Sequence, residues 1–102
     1  MKFRDPEDCA TLEEIRCEID KIDKHIVLLF AERHKYVEAI VRFKDDENAI
    51  IAEDRKQSVI RQRREWAEKN GLNADIFEQI YRLLIESNIK HEMELLKLKK
   101  KK

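Results

Sequence analysis

From Glu7 to Asn70 the chain contains neither glycine nor proline. These residues make most tight turns, because glycine tolerates positive φ and proline pre-sets a turn angle. The whole chain holds one of each, Pro6 and Gly71. A sandwich or barrel needs turn residues at short, regular intervals, so an all-β fold has almost no room here. A doubly wound α/β fold needs glycines for its phosphate turns. Long helices with few connections remain, and 102 residues suit a single domain spanning 1–102.

The apolar residues supply the matching period. Leu12, Ile15, Ile19, Ile22, Ile26 and Leu29, then Tyr36, Ile40 and Phe43, follow steps of three and four, broken only by Arg33. This is a heptad-like seam held over about four heptads. Thr11, with Glu14 three residues on, offers a capping box, so a first helix is predicted over 12–44. Residues 45–51 read as a loop with an apolar middle, Ala49-Ile50-Ile51. A second helix over 53–69 ends at Asn70-Gly71, a good C-cap pair. Asn73 then caps a third helix over 74–97, with Ile76, Phe77, Ile80, Tyr81, Leu84, Ile85, Ile89 and Leu95 on its apolar face. The basic residues 97–102 read as a frayed, solvated tail.

A first helix of about 33 residues would be roughly 50 Å long. A compact domain of this size has a radius of gyration of only ~13 Å. One short and one medium helix cannot cover such a seam. The fold expected is therefore all-α: one long, one short and one medium helix, intertwined with a second copy in a homodimer.

Charge and composition narrow the function. Lys and Arg number 22, as do Asp and Glu, so the chain is formally neutral and lacks the net basic character of a nucleic-acid binder. No uncharged apolar run approaches the ~20 residues of a membrane span. The N-terminus, MKFRDPEDC, has no apolar signal-peptide core. Cys9 and Cys17 suggest neither a disulfide framework nor a zinc site. Reduced thiols in a cytoplasmic protein are the expectation.

Several charges sit where apolar residues belong. Arg33 interrupts the seam, and Lys44 lies 11 residues on, about three turns along the same face at ~16 Å. Arg16 flanks the seam, and Arg55 opens the second helix. Glu92 falls on the inner face of the third helix with Asn88 one turn before it, although pairing with Lys90 or Lys97 on the outer face is the plain alternative. Any one of these alone would be ordinary in a chain that is 43% charged. Together they would bury several cations, at several kcal/mol each if unpaired. A small dianionic ligand would resolve that cost, because Arg holds carboxylates bidentately and Lys supplies a point charge. Arg16 and Arg33 are ~25 Å apart along one helix, so Arg16 would serve the other subunit's site. No nucleophile–base pair, metal spacing or glycine-rich phosphate loop is visible. Catalysis here would work by orientation and electrostatics, without cofactor or metal.

Over nearly its whole length the chain resembles the all-helical, type II chorismate mutase family. The carrying residues are Leu12-Glu13-Glu14-Ile15-Arg16 with Ile19-Asp20 and Ile22-Asp23, Arg33 with Tyr36-Val37, Arg42-Phe43-Lys44, Arg55, and Leu84-Ile85-Glu86 through Glu92. Pro6-Glu7-Asp8-Cys9, Arg42-Phe43-Lys44 and Trp66 to Leu72 look most like its isochorismate-pyruvate lyase branch. The resemblance implies an intertwined dimer with two shared sites. Arg16 of one subunit, with Arg33 and Arg55 of the other, would hold the substrate carboxylates. Lys44 would contact a carboxylate and the ether oxygen whose bond breaks. Glu92 stands where many members have a Gln that donates to that oxygen. A Glu can donate only when protonated, so turnover is expected to fall as pH rises, and Glu92→Gln to flatten the profile. Many mutases carry acids near the substrate hydroxyl where this chain has Ala52 and Lys56.

The expected activity is chorismate mutase, converting chorismate to prephenate, since a lyase pocket should also rearrange chorismate to some degree. The alternative is isochorismate-pyruvate lyase, giving salicylate and pyruvate, which the local motifs and the two departures favour. A non-catalytic helical dimer module is the third reading.

Overall fold

A computed structural model describes residues 2–101. All regular structure among them is helical: α1 (Leu12–Ile40), α2 (Glu47–Ile51), α3 (Glu53–Lys69) and α4 (Ala74–Lys100), with short 3-10 turns at Pro6–Asp8 and Val41–Phe43. None of the described helices is long and apolar enough to cross a membrane. The described residues divide into two compact units, one up to Tyr36 and one from Val37 onward.

In the first unit Thr11 caps α1 as expected, but the return bond of a capping box is displaced by one residue, from Thr11 to Ala10. Thr11 Oγ1 accepts the Glu14 N–H at 3.1 Å, and the Glu14 carboxylate accepts the Ala10 N–H at 2.6 Å. That second bond, aided by the Arg4 guanidinium 3.1 Å away, holds the Glu14 carboxyl below its ordinary range. The first contact satisfies one of the amides that a helix start leaves without partners. The 29 residues of α1 include none that is buried. Its seam stands open to solvent, with Ile19 50% and Leu29 67% exposed.

In the second unit α3 packs along α4. Val41, Ile50 and Leu96 form a buried cluster, with Ile89, Met93 and Leu95 packed against it. The turn between α3 and α4 closes as the sequence predicts. The Leu72 N–H reaches the Ala67 carbonyl at 2.8 Å and the Gly71 N–H the Glu68 carbonyl at 3.1 Å. This pair of bonds is a Schellman motif, and Gly71 supplies its positive φ of 73°. Asn73 then accepts the Ile76 N–H at 3.1 Å and starts α4. Arg64 of α3 clamps the two helices by donating to Asp75 and Glu78, each at 2.8 Å.

Three boundaries differ from expectation. The first helix stops at Ile40 rather than 44, tightening into a 3-10 turn that places Val41 in the buried cluster. Residues 45–51 are not all loop. Asp46 accepts the Ala49 N–H at 2.8 Å and opens the five-residue α2, whose Ile50 is only 2% exposed. The tail expected to fray from Lys97 is helical through Lys100. Lys99 explains this, since its ammonium bonds backbone carbonyls at the end of the Val41–Phe43 turn. Lys102 lies outside the described residues.

Candidate active site

Lys44 follows the Val41–Phe43 turn, where the backbone leaves helical geometry for φ −117° and ψ 128°. Its N–H still bonds the Val41 carbonyl at 3.1 Å. With Val41 buried on Leu96 and Ile50, the turn is pinned to α4 and α2. The Lys44 side chain, only 17% exposed, is directed at Glu92, with Nζ to Oε1 at 2.9 Å. Glu92 comes from the middle of α4, 48 residues away in sequence. It is 6% exposed, and no other polar or charged residue among those described is buried.

A buried carboxylate in an apolar setting costs several kcal/mol unless it is paired. Lys44 provides that pairing. An ammonium has three donors, and the carboxylate takes one of them. Two N–H groups of Lys44 can therefore still face a ligand. Glu92, as the acceptor in this pair, offers a hydrogen-bond donor only after it gains a proton. The pair thus holds a compact positive charge against a buried acid in the second unit.

The other site residues are placed as follows. Asn88 is half-buried on α4, one turn before Glu92 and on its side of the helix. Arg55 lies in the first turn of α3 and is exposed. Arg33 is half-buried on α1 within the first unit. Arg16, also on α1, is exposed and pairs with Glu13 at 3.2 Å. Of the six residues singled out from sequence, Lys44 and Glu92 are the two joined by a direct bond in the second unit. The alternative of an outward-facing Glu92 paired to Lys90 or Lys97 is overturned by this bond.

Ala52, between α2 and α3, adopts the left-handed conformation at φ 40° and ψ 59°. It lets α2 end and α3 begin without a spacer, since the Ala52 N–H bonds Asn48 and its carbonyl accepts the Lys56 N–H. This junction sets where Arg55 leaves the backbone. Lys99 was missed by sequence reasoning, which took it for part of a solvated tail. The available signal was its spacing of seven residues, two helical turns, from Glu92.

Comparison with known proteins identifies the family. The family model for chorismate mutase type II matches residues 15–93, a stretch that includes Arg16, Arg33, Lys44, Arg55, Asn88 and Glu92. An isochorismate pyruvate lyase of Pseudomonas aeruginosa is 40% identical over 92 residues, covering 90% of this chain and 91% of that protein. A bifunctional chorismate mutase/prephenate dehydratase of Buchnera aphidicola is 33% identical over 86 residues, 83% of this chain but 22% of its own length. A T-protein of Haemophilus influenzae is 32% identical over 82 residues, 79% of this chain and 22% of that one. The family model over most of the chain, the relatives and the all-helical architecture agree, and the chain belongs to the type II chorismate mutase family of enzymes.

Proposed function

We propose that this protein is an isochorismate-pyruvate lyase with chorismate mutase as a lesser activity. The observation that carries the reading is the buried Lys44–Glu92 pair, which aims an ammonium from a pinned turn. The order of the two activities rests on the lyase relative, which matches this chain nearly end to end, whereas the bifunctional mutase matches over about a fifth of its length. Ala52 and Lys56 support the same order, because neither supplies an acid for the hydroxyl of chorismate.

The chemistry needs no covalent step. The ether C–O bond of isochorismate breaks, and its electrons pass into what becomes the carbonyl of pyruvate. One ring hydrogen moves to the methylene carbon of the enolpyruvyl arm, which becomes a methyl group. The ring, having lost the arm and that hydrogen, is the aromatic ring of salicylate. Negative charge grows on the departing oxygen. The free N–H groups of Lys44 stabilise it, a donor already in place costing no reorganisation during the reaction. Glu92 holds the ammonium in place. Arg16, Arg33 and Arg55 hold the two carboxylates and Asn88 the ring side, so that the arm is folded over the ring before reaction.

The enzyme acts as a homodimer on this reading. Support comes from α1, a helix of 29 residues none of which is buried, its apolar seam included. Leaving so many large apolar residues in water is a strong drive to associate. Sedimentation should give twice the chain mass, and Ile22→Glu on the seam should shift it toward monomer.

The deciding assay supplies chorismate and isochorismate separately to purified protein. Salicylate from isochorismate, with a far higher kcat/KM than prephenate from chorismate, is the expected result. Faster prephenate formation would reverse the order of the two activities. No turnover of either substrate would favour a non-catalytic module.

A further inference from the structure

Lys99 stands two turns beyond Glu92 on α4. Its ammonium donates to the carbonyls of Val41 at 3.1 Å, Arg42 at 3.3 Å and Lys44 at 3.0 Å, and lies 3.6 Å from Asp45 Oδ1. Three donors meet three acceptors. These carbonyls lie where α1 has run out, so no further helical turn covers them all. Carbonyls at a helix C-terminus carry partial negative charge, which a cation there offsets. Such a cation usually comes from the helix's own last turn. Here it comes from 55 to 58 residues away, so it fixes the turn in space against α4.

The consequence falls on Lys44. Its carbonyl oxygen is held by Lys99 at one end of the residue, and its Nζ is held by Glu92 at the other. Both holding groups project from one helix at a fixed separation of two turns. We propose that Lys99 is a positioning residue for the reaction, a clamp on the turn that sets the origin of the Lys44 side chain. In its kinetic part this rests on the function proposed above. Without the clamp, Val41 stays buried and its carbonyl keeps the Lys44 N–H, but the Arg42 and Lys44 carbonyls turn to water and Lys44 spends part of its time aimed away from the substrate.

The experiment compares Lys99→Met, Lys99→Arg and, as a control, Lys100→Met in the full-length protein. Misplacing a reacting group by about 1 Å can cost up to ~100-fold, and a clamp lost while Glu92 still holds Nζ should cost ~10-fold in kcat. KM should change less than kcat. Lys99→Arg, which keeps a charged donor, should recover most of the loss, and Lys100→Met should match wild type. Amide hydrogen exchange over residues 41–46 should quicken by a similar factor in Lys99→Met, with α3 unchanged. Unchanged exchange in 41–46 overturns the proposal whatever the activity. Faster exchange with wild-type kcat overturns it too, because the turn then does not govern Lys44. If wild type turns over neither substrate, the functional reading fails, and the exchange data alone decide whether Lys99 holds the turn. Should Lys99→Met not fold, Lys99→Gln gives the same comparison with uncharged donors.

Discussion

Removing Lys44 should cost both stability and activity, and a second substitution should restore only the first. Lys44 Nζ and Glu92 Oε1 are 2.9 Å apart, with side chains 17% and 8% exposed. At an effective dielectric of ~20 their attraction is about 6 kcal/mol. Most of that is offset by the cost of taking both charges out of water. Lys44→Met deletes the attraction but leaves Glu92 desolvated in a pocket without its cation. One-sided loss of a fully buried pair costs about 3–5 kcal/mol. Lys44 keeps some contact with water, which brings the expected loss to about 2–3 kcal/mol. In Lys44→Met/Glu92→Met both charges are gone, and stability should return to within about 1 kcal/mol of wild type. Activity should not return, because either variant loses the preorganised donor, worth about 10²–10³ in rate. Urea unfolding at several protein concentrations measures the first effect and separates it from any contribution of association. Salicylate formation measures the second. A Lys44→Met protein within about 0.5 kcal/mol of wild type, the scale of an ordinary surface change, would refute the buried-pair reasoning. So would a double variant less stable than the single one.

Ala52→Gly relieves a side chain from the left-handed conformation, and should stabilise the chain by about 1 kcal/mol in urea unfolding. Thr11→Ala deletes the N-cap acceptor of α1 and should destabilise by about 1 kcal/mol, seen as an earlier loss of helical circular dichroism on heating. The Arg82 hydrogen bond, with Arg64 beside it, holds the Glu78 carboxyl below its ordinary value of 4.5. A lowered folded-state value means that this stability is complete above the ordinary value and is lost as pH falls through the folded one. Glu78→Gln should therefore shallow the acid limb of melting temperature below about pH 4.5 and leave neutral pH little changed.

What could be read from sequence and what could not divide along a physical line. Helix identity and most helix ends are local properties. The period of α1, the Thr11 cap, the Asn70-Gly71 cap and the Asn73 cap all involve residues within about one turn, and each formed as expected. The misplaced end of α1 is different in kind. Nothing near Ile40 in the sequence stops a helix. The stop follows from burying Val41 against Leu96 and Ile50, a gain made only when distant elements meet. The site shows the same division. Glu92 could be flagged because a charge on an apolar face is costly, but its partner lies 48 residues away and no spacing rule reaches it. Lys99 was hidden for a further reason. In a run of lysines each member looks alike by composition, and a solvated end is the cheapest fate for such a run. What distinguishes Lys99 is that it shares a helix face with Glu92, and that the turn carrying Lys44 ends in carbonyls in need of a cation. The same helix therefore carries the carboxylate that holds the Lys44 ammonium and the cation that holds the Lys44 backbone. A change to the phase of α4 between residues 92 and 99 would release one end of Lys44 even with every site residue intact.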